Sequence, residues 1–355
     1  MGNNTNNERM VTEGELSLPV PGSGLKDSKF SNLSVATKKA FIASAIFILL
    51  FIAFSLMRPK TFPTMNNLIN LAQQIVTYSI IGFGLTFCLV CGGTDLSAGA
   101  SGALCGIVLL WLIRAGAPIW LSIVACMGIG LLTGILNGFS IEILGVVPFI
   151  ATLGTQWLYR GMANVFVNGN PIYTVDAIAD EAQRNQFYMF GGGRVSESFP
   201  IPYSVFVTVI YGVILAIVLA KTRVGRQIYA CGSNLEAAKL SGINAVGTRM
   251  FAYCISGLSA AVCGVLVTSR LASAQPYALN GVELQAIAAG VLGGVSNNGG
   301  EGTIVNAFIG ALVMGTLNNG LTLVGVNSFW QMAIVGFILV GACAIDAYRH
   351  RRTTT

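Results

Sequence analysis

Charged residues are scarce in this chain, and histidine is nearly absent. Of its 355 residues, 10% are Asp, Glu, Lys or Arg, against about 25% in a typical soluble protein. The one histidine, His350, lies in a basic C-terminal segment, so neither histidine-based catalysis nor a metal site is expected. Cys88 and Cys91 have CxxC spacing, but no second pair accompanies them, and we interpret them as small buried residues.

The residues that are abundant are apolar residues and glycine. Hydrophobic residues make up 54% of the chain, and there are 43 glycines. About ten apolar stretches approach the roughly 20 residues that a transmembrane helix needs. Glycine suits helices that pack closely or break within a membrane. The sequence therefore predicts an all-α polytopic membrane protein of about ten transmembrane helices with glycine-rich broken segments. The predicted spans are 40–57, 66–90, 98–115, 117–138, 147–167, 201–220, 250–271, 283–295, 303–323 and 328–347.

The distribution of Lys and Arg predicts the topology. Most of these residues fall in the N-terminal segment, in 221–250 and at the C-terminus, which predicts that all three are cytoplasmic. Residues 1–39, poor in large apolar side chains, are expected to be a disordered cytoplasmic tail. The transmembrane domain is then 40–348, with a second cytoplasmic tail at 349–355. The polar segment 168–200 falls outside, either as a contact surface for an extracytoplasmic protein or as a plain connector.

The segment 221–250 contains a short helix with both ends marked. Ser233 to Glu236, which includes Asn234, fits a capping box in which Ser233 is the N-cap and Glu236 reaches back. Lys239 suits the negative end of the helix dipole, and Gly242 supplies a left-handed stop. A helix of about two turns is not stable alone, so it either needs a docking partner or is a capped surface helix.

Two glycine-rich stretches resemble each other. Residues 91–99 (CGGTDLSAG) match 292–300 (LGGVSNNGG), with Gly92 aligned to Gly293, and each follows one apolar span and precedes another. Paired breaks of this kind are typical of transporters. Asp95 in the first stretch and Glu301 after the second are predicted to cap the helices that follow, although Asp95 could instead contact a substrate.

Few ionisable side chains lie in the spans, and uncharged polar residues are more numerous there. Arg160 is near the end of the fifth and is expected to snorkel to the membrane surface. Uncharged polar residues either line a path for a neutral solute or form interhelical hydrogen bonds. The candidates for a translocation path are Asp95, Ser97, Asn137, Asn164, Asn306 and Asn318.

No chain of buried acids indicates ion coupling, and the P-loop signature is absent. Transport powered by ATP would therefore need nucleotide bound by another chain. A facilitator that works alone is the alternative, and the isolated capped helix argues against it. A membrane-embedded enzyme would need a cluster of catalytic groups that the sequence does not show.

In combination, several motifs resemble the permease subunit of bacterial ABC importers for ribose, galactose, xylose and related sugars. They are GGTDLSAG (92–99), Asn137-Gly138, VPFIATLGTQWLYRG (147–161), KTRVGRQIYACGSNLEAAKLSGI (221–243), AIAAGVLGGVSNNGGEGT (286–303) and GLTLVGVNSFWQ (320–331). They cover most of 40–347. The N-terminal tail has no counterpart.

The resemblance implies a protein of the bacterial inner membrane with three kinds of partner. These are a second permease subunit, expected to be a copy of this chain, a cytoplasmic ATPase that binds ATP and Mg, and an extracytoplasmic sugar-binding protein. It also implies that Glu236, Ala237, Ala238 and Gly242 belong to the helix that docks on the ATPase, with the two alanines allowing close approach. The variants at Thr94 and Ala98 are most similar to galactose and methylgalactoside permeases, with ribose permeases close behind. A nucleoside, a polyol or a signalling furanose stays open as cargo.

Overall fold

The structure, a computed structural model, describes residues 35–196 and 200–354, and it describes side chains from residue 39 to residue 344 outside that gap. The predicted N-terminal tail thus lies outside the described residues as far as position 34. In chain order the elements are α1 (Val35–Met57), α2 (Met65–Val90), α3 (Ala98–Arg114), α4 (Ile119–Glu142), α5 (Pro148–Val167), β1 (Ile172–Tyr173), α6 (Thr174–Ala177), α7 (Glu181–Gly191), α8 (Tyr203–Lys221), α9 (Arg223–Ser233), α10 (Leu235–Leu240), α11 (Ala245–Leu271), β2 (Ser273–Ala274), α12 (Val282–Gly293), α13 (Ile304–Val324) and α14 (Ser328–Thr354).

Each predicted apolar stretch coincides with one of these helices. In the described part of the chain, six are long and apolar enough to cross a membrane: α1 from Lys39, α2, α4, α8, α11 and α13. Three more apolar helices are shorter, namely α3, α12 and α14 as far as Ala344. The chain is an all-α polytopic membrane protein.

Several predicted boundaries differ from the structure. Helix α1 begins at Val35, five residues before the predicted span, and α4 ends at Glu142 instead of position 138. Helix α11 begins at Ala245 instead of position 250, because Asn244 caps it by accepting a hydrogen bond of 3.0 Å from the N–H of Gly247. Helix α14 continues to Thr354, which includes residues 349–354 of the segment 349–355 that we predicted as a cytoplasmic tail. Lys and Arg favour the C-terminal end of a helix dipole, which accounts for the extra turns in this Arg-rich segment.

The described part of the segment 168–200 contains regular structure. It contains β1, α6 and α7, and β1 pairs in an antiparallel ladder with β2, with Ile172 opposite Ala274. The N-terminus of α7 is capped by Asp180, whose side chain accepts from the N–H of Ala182 at 2.9 Å. Two-residue strands lie below what periodicity in a sequence can reveal.

Helix α11 is the centre of the packing, with α4, α2 and α3 against it. Close approach depends on glycine, because a Cβ on Gly257 would collide with the backbone carbonyl of Gly130 on α4. Two turns further along α11, a Cβ on Gly264 would collide with the carbonyl of Gly102 on α3. Small residues at helix crossings are the usual device for packing within membranes.

Candidate functional site

The predicted short helix is present as α10, but Asn234 caps it instead of Ser233. Asn234 has extended backbone angles, and its side chain accepts a hydrogen bond of 2.9 Å from the N–H of Ala237. Ser233 is the last residue of α9, and its hydroxyl donates to the carbonyl of Tyr229 at 2.9 Å. The capping box was wrong because α9 continues to the residue before Asn234, so Ser233 is not free to act as a cap.

The charged residues of α10 pair with each other. Lys239 and Glu236 form an ion pair of 2.9 Å, so Glu236 does not reach back to the helix start. The predicted left-handed stop is confirmed, because Gly242 has φ +79° and its N–H donates to the carbonyl of Lys239. The next N–H, that of Ile243, donates to the carbonyl of Ala238, which completes a Schellman-type ending.

The exposed face of α10 differs from the face that we predicted. Ala238 is 4% exposed and packs in an internal apolar cluster, so it is not available for close approach to another protein. Ala237 is exposed, and Leu240 has 89% of its surface exposed. Leu240 was missed at the sequence level, although a leucine one turn after the exposed Glu236 is a signal that could have revealed it.

Helix α9 connects α10 to the second glycine-rich stretch. The Tyr229 hydroxyl donates to the carbonyl of Gly302 at 2.6 Å. Gly232 lies against the carbonyl of Val90 and the N–H of Gly300, and that N–H donates to Val90 at 2.9 Å. The end of α2, α9 and the second stretch therefore meet at one point, where a larger residue than Gly232 does not fit.

Both glycine-rich stretches end a helix in the same way, with a register different from the predicted one. Gly92 has φ +79° and Gly294 has φ +110°. In each case the following N–H donates to the carbonyl five residues earlier, from Gly93 to Cys88 and from Val295 to Gly290. Gly92 therefore corresponds to Gly294, one position later than the sequence match with Gly293.

Asp95 is the acceptor at the centre of a buried hydrogen-bond network, and it is 1% exposed. Its Oδ1 accepts from the N–H of Ser97 at 2.8 Å and from the Ser97 hydroxyl at 2.7 Å. Its Oδ2 accepts from the hydroxyl of Ser256 on α11 at 2.7 Å. Ser97 takes the N-cap position of α3, but its own side chain makes no capping bond. The carboxylate of Asp95 thus ties the start of α3 to α11.

Asn137 extends this network to α5. Its Nδ2 donates to the Ser97 hydroxyl at 2.7 Å and, more weakly, to Asp95 at 3.3 Å. Its Oδ1 accepts from the hydroxyl of Thr155 at 2.6 Å. Three of the six candidates for the path, Asp95, Ser97 and Asn137, are therefore in one hydrogen-bond network.

The other three candidates for the path lie elsewhere. Asn164 donates to the carbonyl of Arg160 within its own helix at 2.8 Å. Asn306 donates to the carbonyl of Gly293 at 2.6 Å, joining α13 to the end of α12. Asn318 donates to the hydroxyl of Tyr78 on α2 at 3.0 Å. The bonds of Asn306 and Asn318 are interhelical, which is the second of the two roles that the sequence left open.

Two charged residues have different surroundings from those predicted. Arg160 does not snorkel. It is 7% exposed, and its Nη1 donates to the carbonyls of Pro276 and Ala278, both at 2.7 Å. Glu301 does not cap α13, because Thr303 accepts from the N–H of Asn306, and Glu301 instead pairs with Lys39 at 3.1 Å.

Glu283 is a buried acid that the sequence analysis missed. It is 3% exposed, in the first turn of α12, and its Oε1 accepts from Gln156 on α5 at 2.8 Å. The available signal for a buried acid was its position, because Glu283 is the first residue of the predicted apolar stretch 283–295, which is too short to span a membrane. In the described part of the chain, no group of three His, Cys, Asp or Glu residues could hold a metal ion.

Comparison with known proteins gives one family. A family model described as "Branched-chain amino acid transport system / permease component" matches residues 67–343. The ribose import permease protein RbsC of Bacillus subtilis is 41% identical over 301 residues, which cover 85% of this chain and 90% of the relative. RbsC of Escherichia coli K12 is 37% identical, over 85% of this chain and 92% of the relative.

A galactose permease is also similar. The galactose/methyl galactoside import permease protein MglC of Escherichia coli K12 is 34% identical, over 90% of this chain and 99% of the relative. No solved structure was significantly similar to the chain.

Proposed function

Since the chain belongs to this family of transport-system permease components, we propose that it is the membrane-spanning subunit of an ATP-binding-cassette importer for a monosaccharide. It is a multi-pass protein of the inner membrane and a component of a transporter. Hydrolysis of ATP then takes place on a separate ATPase subunit, which binds the ATP and Mg.

The observation that carries the proposal is the geometry of α10. This helix has a side-chain cap at its start, a glycine stop at its end and an exposed Leu240. It is joined to the helix bundle through α9, whose Tyr229 bonds to the second glycine-rich stretch. An exposed apolar side chain on a rigid, capped helix suits a hydrophobic groove in a partner, and in this family of importers that partner is the ATPase.

The cargo is proposed from the relatives. The names of the two RbsC proteins include ribose, and the name of MglC includes galactose and methyl galactoside. The identities rank these ribose permeases above MglC, which favours ribose over the galactose type that the variants at Thr94 and Ala98 suggested. A nucleoside, a polyol or a signalling furanose is the alternative cargo.

The assembly that we propose contains two copies of this chain, two ATPase domains and one extracytoplasmic sugar-binding protein. Ten membrane-spanning helices with both termini in the cytoplasm agree with the concentration of Lys and Arg around α9 and α10 and at the chain ends. In that topology, 221–250 faces the ATPase and 168–200 faces the binding protein. Closure of the ATPase would move the helices attached to α10 and switch the path between its inward-open and outward-open forms.

The test is ATP-dependent uptake into vesicles that contain this chain, its ATPase and its binding protein. Ribose, galactose and xylose compete in the same assay. We expect uptake that needs all three proteins and ATP, with ribose as the strongest competitor. Uptake by this chain alone, without ATP, would instead establish a facilitator.

A further inference from the structure

Three helices meet around two buried charged groups that the network of Asp95 does not include. Glu283 lies in the first turn of α12, and Gln156 and Arg160 lie one turn apart on α5. The Glu283 carboxylate also packs against Gly99 in the first turn of α3, where an added Cβ would collide with its Oε2. We call Gln156, Arg160 and Glu283 the α5–α12 polar site.

In the proposed topology α5 spans the membrane, and this site is then well inside the hydrocarbon layer. Gln156 is eight residues after the start of α5, which is about 12 Å along a helix, in a hydrocarbon layer about 30 Å thick. Helix α12 has 12 residues and so reaches only about 18 Å. The hydrogen bond between Gln156 and Glu283 puts the N-terminal turn of α12 at the same depth as Gln156.

Each charged side chain has one buried atom left without a hydrogen-bond partner. Among the described residues, nothing bonds to Oε2 of Glu283 or to Nη2 of Arg160. The two groups influence each other electrostatically, but no ion pair within 4.0 Å joins them in the part of the chain that the structure describes. Burying charges with unused bonding capacity is costly, which is typical of a site that is completed by a ligand.

Of the two atoms without a hydrogen-bond partner, Oε2 of Glu283 is an acceptor and Nη2 of Arg160 is a donor. A hydroxyl group donates one hydrogen bond and accepts others, so it can donate to Oε2 of Glu283 and accept from Nη2 of Arg160. A neutral solute with several hydroxyls satisfies both atoms without bringing further charge into the membrane. We propose that the α5–α12 polar site contacts the hydroxyl groups of the transported sugar as it passes through the subunit, an inference that rests on the proposed function.

The experiment uses the complete transporter in vesicles, with ribose, or galactose if that is the sugar taken up, and the monodeoxy analogues of each. Every cargo is supplied at a concentration that saturates the binding protein, so that differences report on the membrane path. The variants are Glu283→Gln and the less buried Gln156→Ala. Gln285→Ala is the matched control, because Gln285 is two residues after Glu283 on α12 and about 200° around the helix.

We expect Glu283→Gln to lower uptake of the parent sugar roughly tenfold, the usual effect of losing a hydrogen bond to a charged group, and Gln285→Ala to have little effect. ATP hydrolysis stimulated by the loaded binding protein should be retained. One of the analogues should lack the hydroxyl that contacts the site. Its uptake should be roughly tenfold slower than that of the parent sugar in the wild type, but less than threefold slower in the variant, because the variant has already lost the same contact. If Glu283→Gln does not fold, the same comparison is made with Gln156→Ala.

Two other outcomes are distinguishable. Equal losses for every analogue in wild type and variants, with active wild type, would overturn the inference alone and make the site a structural one. Failure of the wild-type assembly to take up any sugar with ATP would overturn the proposed function, and the inference with it.

Discussion

The hydroxyl of Tyr229 donates a hydrogen bond of 2.6 Å to the backbone carbonyl of Gly302. This bond joins α9, which leads into the proposed docking helix α10, to the stretch between α12 and α13. A side chain that holds a backbone carbonyl fixes the position of one segment relative to the other. Movement of α10 should therefore reach the stretch before α13 through the rigid ring and hydroxyl of Tyr229.

Tyr229→Phe removes this bond and keeps the ring. We expect ATPase binding to be unchanged, but less sugar to be transported per ATP, because the carbonyl of Gly302 is no longer held. The loss in free energy of unfolding should be about 1 kcal/mol. The measurement is uptake and ATP hydrolysis in the same vesicles, with Tyr203→Phe as the control. An unchanged ratio of transport to hydrolysis would remove Tyr229 from the coupling path.

Leu240→Asp should weaken association with the ATPase while the membrane helices stay folded. The side chain is almost fully exposed, so the change adds a charge where a hydrophobic groove is expected and costs the fold little. We expect at least tenfold weaker copurification.

Ala237→Trp should act like Leu240→Asp, because Ala237 is exposed. Ala238→Trp should instead lower the melting temperature, because Ala238 is buried. Bulky residues at Glu236 or Gly242 should also reduce association, with Gly242 variants strained by its φ of +79°. Normal ATPase association in all of the exposed-face variants would show that α10 is not the docking helix.

Asn234→Ala should loosen α10 locally, and Ser233→Ala should not. Loss of an N-cap costs about 1 kcal/mol, which should raise the hydrogen-exchange rate of the α10 amides roughly fivefold. Among the described residues, the Ser233 hydroxyl bonds to the carbonyl of Tyr229 in its own helix and to no group of α10. Hydrogen exchange followed by mass spectrometry in nanodiscs separates the two variants. Faster exchange in Ser233→Ala than in Asn234→Ala would restore the original capping-box prediction.

Asp95→Asn should destabilise the protein by about 1–2 kcal/mol, in the range of a lost cap and a weakened charged hydrogen bond. The Ser256 hydroxyl can rotate to accept from the new amide, which limits the loss. Thermal unfolding of the purified chain measures it, and Ser256→Ala, which removes one of the same bonds, is the comparison. Complete loss of uptake with a normal melting temperature would give Asp95 a role in transport beyond holding the start of α3.

The sequence predicted most of the helices. It predicted the ends of α10 less completely. Hydrophobic stretches and glycine stops are local signals, so α2, α13 and the role of Gly242 follow from them. Which of two adjacent residues caps α10 depends on where α9 ends, and no local signal marks that point. The burial of Ala238 depends on packing between α10 and the bundle, which is a tertiary effect.

The polar residues of the spans show the same limit. The sequence named Asp95, Ser97 and Asn137 by residue type, among six candidates for the path, and it did not indicate that these three bond to one another. The pairing of Gln156 with Glu283 joins residues that are 127 positions apart, and only the folded arrangement of α5 and α12 brings them together. Arg160 was misplaced because its partners, Pro276 and Ala278, are backbone carbonyls of a loop that no sequence pattern identifies.

Helix α11 is one continuous helix that lies between α10 and β2 in the chain. It has 27 residues, about 40 Å of continuous helix, beginning five residues after α10 and ending two residues before β2. Strand β2 pairs with β1, which lies in the described part of the segment 168–200. A tilt of α11 about its middle would displace its two ends at the same time and in opposite directions. An effector at either end would then alter affinity at the other by the same factor.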